Sequence, residues 1–151
     1  MKQMEKTNFY IFTGGPGAGK TALLHELGRR GFRCVREGAR DIIRRQMATG
    51  GDALPWQDTL KYSKAMLDQA ITDYKNALAL TENYVFFDRG IPDVLGYAKL
   101  TGLEPWDDLI EAVANFRYNK NIFVLPPWED IYHTDDERKQ TFDVAIKTFD
   151  W

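Results

Sequence analysis

The sequence is poor in the features that mark most special environments. Its 151 residues include one cysteine, Cys34, and two histidines, His25 and His133. A single thiol cannot close an internal disulfide, so this is no disulfide-stapled scaffold, and a reducing compartment suits it. Cys34 falls in an expected strand and reads as packing. Neither histidine has a partner at metal-ligand spacing, so no zinc site is assigned. No apolar run approaches the length of a membrane span. The charges near Met1 are not followed by an apolar stretch, so no signal peptide is read there. Neither sign of charge dominates: 20 Lys and Arg stand against 22 Asp and Glu, a net charge of -2. Without a basic surplus, nucleic acid is not expected as a bulk partner. Repeats, low-complexity tracts and linkers are missing too. These absences predict a cytoplasmic protein of one domain, with no membrane partner and room for a core of its own.

What the sequence does have is Gly14-Gly15-Pro16-Gly17-Ala18-Gly19-Lys20-Thr21. This is Gly, four residues, then Gly-Lys-Thr, the phosphate-binding P-loop. The glycines let the backbone curl so that successive N–H groups face a phosphate. Lys20 brings an ammonium to the β- and γ-phosphates, and the Thr21 hydroxyl is a hard ligand for Mg²⁺. The helix that starts here adds its positive end. The setting agrees. Residues 8–13 are an apolar, aromatic run that reads as a buried strand, and Leu23, Leu24 and Leu27 recur at helical spacing until Gly31. ATP or GTP with Mg²⁺ is the expected cofactor.

Along the chain, residues 32–36 read as a second strand ending at Glu37, with Gly38 giving room for a turn. Residues 39–47 read as a helix with Ile42, Ile43 and Met47 on one side and Arg40, Arg44 and Arg45 on the other. Residues 49–52 are a loop. A long helix is expected over about 56–80, with Leu60, Met66, Leu67, Ile71 and Leu78 as apolar points. Residues 84–87 are the clearest buried strand and run into Asp88-Arg89-Gly90. Helices over about 93–100 and 106–116, a strand at 121–125, the stop Pro126-Pro127, a polar loop and a helix from about Glu137 complete the pattern. Alternating strands and helices predict a three-layer α/β fold with a parallel sheet, which binds ligands at the carboxyl ends of its strands. The loop after Thr13, Glu37 and Asp88-Arg89 all fall at such ends. The last helix still runs at Trp151 and a fifth strand is missing, so a C-terminally truncated chain is expected.

The acids narrow the chemistry. ATP-hydrolysing motors commonly place Glu after the strand-end Asp to orient water, whereas here Arg89 follows Asp88. The base-recognition pattern of GTPases is absent, because Asn119-Lys120-Asn121-Ile122 lacks its Asp and precedes its strand. Deoxynucleoside kinases carry an acid at the end of the second strand and an acid-Arg pair at the end of the third, where Glu37 and Asp88-Arg89 stand. The chain more closely resembles the nicotinamide riboside kinase domain of bacterial NAD-regulating proteins and the small predicted ATPase/kinase domains grouped with it. The matching stretches are the P-loop, Arg36-Glu37-Gly38-Ala39-Arg40, Phe87-Asp88-Arg89-Gly90-Ile91-Pro92-Asp93 and Asp136-Glu137-Arg138-Lys139-Gln140-Thr141-Phe142.

That resemblance implies a P-loop kinase-like domain in which Glu37 takes a proton from a substrate hydroxyl or binds it. Asp88 holds Mg²⁺ or shares the base role, and Arg138, on a lid, steadies charge on the transferring phosphoryl. Positioning and charge neutralisation are what phosphoryl transfer needs. Arg40 and Arg89 are the candidates for substrate phosphate, and a sheet-end ion pair is the other reading of Arg89. Pairing with Arg40 or Arg44 is the structural alternative for Glu37, and a solvated charge run is that for Arg138. Trp56, Trp106, Trp128, Tyr62 and Tyr97 are candidates for base stacking, with packing the commoner use. The expected function is transfer of the γ-phosphate of ATP to a small, nucleoside-like hydroxyl acceptor. The rivals are NTP hydrolysis and a nucleotide-binding regulatory module.

Overall fold

The structure is a computed structural model and describes residues 3–14 and 19–125. In chain order the elements are β1 (Met4–Glu5), β2 (Phe9–Gly14), α1 (Lys20–Arg29), β3 (Arg33–Val35), α2 (Ala39–Thr49), α3 (Thr59–Asn76), β4 (Val85–Asp88), α4 (Ile91–Leu100), α5 (Asp107–Asn115), β5 (Phe116–Arg117) and β6 (Phe123–Leu125). This is a mixed α/β fold with parallel sheets, as the alternation of strand and helix predicts. It divides into two compact units.

One unit comprises the described residues of 6–35, Glu82–Arg89 and residues 118–125. Its four strands are all parallel, in the order β3-β4-β2-β6. β4, flanked on both sides, is buried along Val85, Phe86 and Phe87, as the unbroken apolar run requires. Side chains alternate between faces. On one, Phe9 meets Phe87 with ring centroids 4.9 Å apart, and Phe87 meets Tyr118 at 5.3 Å. On the other, Phe12 stacks on Phe86 at 5.2 Å and meets Phe123 edge-on at 4.8 Å. Leu24 of α1 packs with Phe12 and Phe86 on that face. Each fully buried side chain of this size contributes about 1.5–3 kcal/mol. α1 stops where Gly31, at φ 96°, lets the chain reverse. The Gly31 N–H bonds to the Gly28 carbonyl and the Phe32 N–H to the Leu27 carbonyl, which satisfies the helix end and aims the chain into β3.

The other unit comprises residues up to Glu5, Arg36–Thr81 and Gly90–Arg117. α3 packs against α2 and α4, α4 packs against α5, and β1 pairs in parallel with β5. Tyr62 meets Tyr97 at 5.8 Å and Tyr74 meets Phe116 at 5.2 Å, both edge-on. The buried Tyr74 hydroxyl donates to the Arg117 carbonyl at 2.8 Å.

Several boundaries differ from the sequence expectation. α3 begins at Thr59 rather than near Trp56, because the Asp58 carboxylate accepts the Lys61 N–H and caps it. It ends at Asn76 and tightens into a 3-10 turn, Ala77–Ala79. Met47, expected on the inner side of α2, faces outward, 64% exposed, while Ile42 is buried. Phe116, expected as helix, opens β5 opposite Met4. The expected helix from Glu137 lies outside the described residues.

Candidate functional site

Register brings three of the predicted site residues, Lys20, Asp88 and Arg89, to one end of the sheet in the sheet unit. Phe12 stands opposite Asp88, so β4 ends two residues before β2 does. The chain leaves β2 at Gly14 and reappears at Gly19. These glycines have φ 142° and 85°, conformations that side-chain-bearing residues rarely adopt. Residues 15–18 lie outside the described residues. Gly19 is the N-cap of α1 and offers no side-chain cap, and no acid lies in the first turn. A helix start without a side-chain cap or acid among the described residues presents its positive end to an anion.

Lys20 opens α1, and its ammonium forms an ion pair with the Asp88 carboxylate. Their side chains are only 8% and 12% exposed. Thr21 follows on the first turn with its side chain exposed. Lys20 and Asp88, 68 residues apart in sequence, are thus joined at the carboxyl edge of the sheet.

Arg89 is the residue whose conformation the sequence did not announce. Its backbone N–H donates to the Phe12 carbonyl at 2.9 Å, which fixes it to β2. Its φ is 63°, the left-handed region, and it is the one non-glycine there among the described residues. That conformation costs about 1–2 kcal/mol for a residue with a β-carbon. The guanidinium donates to the Gly14 carbonyl. The Gly90 N–H, next along the chain, donates to the Asp93 carboxylate at 2.7 Å, and the Asp93 N–H returns to the Gly90 carbonyl at 3.0 Å. The Asp93 cap at the start of α4 is a feature the sequence reading missed. An acid three positions after the N-cap, with Pro92 in the first turn, was the available signal.

Cys34 on β3 is half-buried, and its thiol donates to the Leu24 carbonyl at 3.5 Å. Burial, and then the Asp88 charge, push its pKa up, so it stays a neutral packing group.

Glu37 and Arg40 belong to the helical unit. Glu37 is half-buried, one residue before Gly38, the N-cap of α2, and Arg40 is exposed on the first turn. Arg44 and Arg45 are exposed as expected, Arg44 lying 3.6 Å from Asp41. Arg138 lies outside the described residues, as do Trp128 and His133. Of the aromatic candidates, Trp56 is 63% exposed, Tyr62 is buried, Tyr97 packs edge-on against it, and Trp106 lines a cleft of about 310 Å³ with Leu67 and Phe116.

Among the described residues no three His, Cys, Asp or Glu side chains gather as a metal cage. Thr21 and Asp88, the magnesium ligands expected from the sequence, offer hard oxygens, the donor type that ion takes alongside phosphate and water. No helix among the described residues is long and apolar enough to cross a membrane.

A family model described as an AAA domain matches residues 9–151. No curated protein matches the chain. The matched span covers the P-loop, the strand-end acid and the parallel sheet that joins them, and the chain accordingly belongs to this AAA domain family of P-loop nucleotide-binding proteins.

Proposed function

We propose that the chain is an ATP-binding phosphotransferase that moves the γ-phosphate to a small hydroxyl acceptor, working in the cytoplasm as one P-loop kinase-like domain. The observation that carries this is the buried Lys20–Asp88 pair at the carboxyl edge of the sheet, followed by Arg89 rather than by an acid. Magnesium, when bound, would neutralise phosphate charge. Lys20 would serve the β- and γ-oxygens, and the Asp88 carboxylate and Thr21 hydroxyl are the groups that would hold the metal. Buried charge of both signs, held in place before the substrate arrives, needs little reorganisation during reaction.

Glu37 is assigned the acceptor hydroxyl, as its base or its anchor. Arg40, on the turn after it, is assigned acceptor or substrate phosphate. Arg138 takes its role from the kinase resemblance alone, as the charge that lid closure adds. The lack of an acid after Asp88 removes the usual means of orienting an attacking water, and this favours an organic acceptor over hydrolysis.

An acceptor screen tests the proposal. Purified protein is incubated with Mg-ATP or Mg-GTP and a panel of nucleosides and other small alcohols, and nucleotide diphosphate is measured. Acceptor-dependent turnover supports the kinase. Equal turnover without acceptor would make the protein a hydrolase, and tight binding with negligible turnover would make it a regulatory module.

A further inference from the structure

We infer that Arg89 is a positioning residue for the phosphate loop, acting as a side-chain rung that extends the β2–β4 ladder beyond the end of β4. The inference rests on the nucleotide-binding reading of that loop. Along a strand, the carbonyls of residues i and i+2 point to the same edge, so Phe12 and Gly14 offer successive acceptors to the β4 side. Arg89 fills both. Its backbone N–H takes the Phe12 carbonyl at 2.9 Å, and its guanidinium takes the Gly14 carbonyl. A longer β4 would have used a backbone N–H for the second rung. Here the chain turns away at Arg89, and the side chain reaches back to the acceptor.

Two features indicate that this is a function of the side chain rather than an accident of packing. The turn at Arg89 has φ 63°, where glycine would fit without strain, and a glycine stands at the next position. A strained arginine at such a place must be offset by what its side chain does. The acceptor is also the last carbonyl of β2, on a glycine with φ 142°. A peptide unit is planar, so fixing that carbonyl fixes the plane of the unit that leads into the loop. Arg89 thus holds the last carbonyl of β2, and Asp88, one residue before it, carries the pair to Lys20. The sequence had offered Arg89 to substrate phosphate. The contact to Gly14 assigns it to the enzyme's own backbone.

Arg89→Gly separates the roles, because it removes the guanidinium and the backbone strain together. In the nucleotide-free protein, its melting temperature should match or exceed that of wild type, while the backbone amide resonances of Gly14 and Gly19 shift and broaden. Mg-ATP affinity should fall about tenfold, the size expected for one lost charge-assisted hydrogen bond. Arg89→Lys should retain more affinity than Arg89→Gly, since an ammonium can still donate to a carbonyl. Unchanged glycine resonances in Arg89→Gly would overturn the inference whatever the nucleotide does. So would unchanged ATP affinity with a raised KM for the acceptor alone, the mark of a substrate-binding group. If wild type binds no Mg-ATP yet the glycine resonances still move in Arg89→Gly, the positioning role stands and the nucleotide reading falls.

Discussion

Lys20 and Asp88 neutralise each other at the edge of the sheet, each almost wholly withdrawn from water. A buried pair of this kind is costly to break from one side, on the order of 3–5 kcal/mol, because a charge withdrawn from water loses the opposite charge beside it. Asp88→Asn and Lys20→Ala should therefore each lower stability in the nucleotide-free state. The double variant Lys20→Met/Asp88→Leu should be more stable than either. Lys20→Ala should also lose turnover by a hundredfold or more, roughly the effect of removing one preorganised charge contact. Urea melts and ATP-induced shifts in melting temperature check both. Equal ATP stabilisation of wild type and Lys20→Ala would remove Lys20 from the site.

Gly38 marks a close approach inside the helical unit. A β-carbon there would lie 2.5 Å from the Gln69 Cγ. Gly38 itself has φ -92°, so alanine meets no backbone strain and the obstacle is purely steric. Gln69 is not free to retreat at no cost, because its amide donates to Asp73 at 3.0 Å. Gly38→Ala should destabilise by about 1–3 kcal/mol, as overpacking does. In a Gln69→Ala background the penalty should vanish. A denaturant double-mutant cycle reads this directly, and simple additivity would show that the two residues do not meet. Glu37 precedes Gly38, so acceptor-dependent turnover should fall further in Gly38→Ala than ATP affinity does.

Alkaline stability should depend on Tyr74. Burial raises its phenol to about 12 from the ordinary 10.0. Below pH 10 the folded and unfolded chains both keep the proton, and the full stability is present. Above it the unfolded chain ionises first, so stability falls between pH 10 and 12 by on the order of 1–3 kcal/mol. Tyr97, also raised by burial, adds to the slope. Tyr74→Phe should start less stable, having lost its bond to the Arg117 carbonyl, but should decline less steeply over that range. Parallel stability–pH curves for the two proteins would refute the assignment.

The lid assignment has its own test. Arg138→Ala should leave ATP binding nearly intact and reduce turnover by a factor approaching the 10³–10⁵ known for arginines that act on a transferring phosphoryl, roughly. Arg138→Lys should rescue little, since a point charge does not replace a planar fork. Glu137→Gln and Lys139→Ala should be close to wild type in steady-state turnover. Similar modest losses across all four would mean a solvated charge run.

The four sheet strands were legible because aromatic and branched residues bounded by turn residues leave few alternatives. The expected 84–87 became β4, Val85–Asp88, and 8–13 became β2, Phe9–Gly14. Lys20 and Asp88 were legible as site residues because each belongs to a local pattern with a chemical reason. Their direct pairing was not, since it depends on which strands become neighbours. β1 and β5, two residues each, are too short to show any periodicity. Exposed Met47 and Leu60 show the opposite limit, that an apolar residue at helical spacing need not face a core. The φ of Arg89 had no signal in the residue type, because long charged side chains carry no preference for the left-handed region.

The strand order has a consequence for how the chain comes off the ribosome. β2 and β3 are synthesised first, yet they never touch, because β4 lies between them. Until residues 85–88 emerge, neither can complete a ladder, and Phe9, Ile11 and Phe12 have no finished sheet to enter. The nascent chain carries the whole glycine loop well before it carries Asp88. The insertion of β4 joins β2 to β3 and brings Asp88 to Lys20, and β6 adds to the free edge of β2 later still. Such late, long-range closure is slow by nature and leaves an aromatic strand exposed in the meantime.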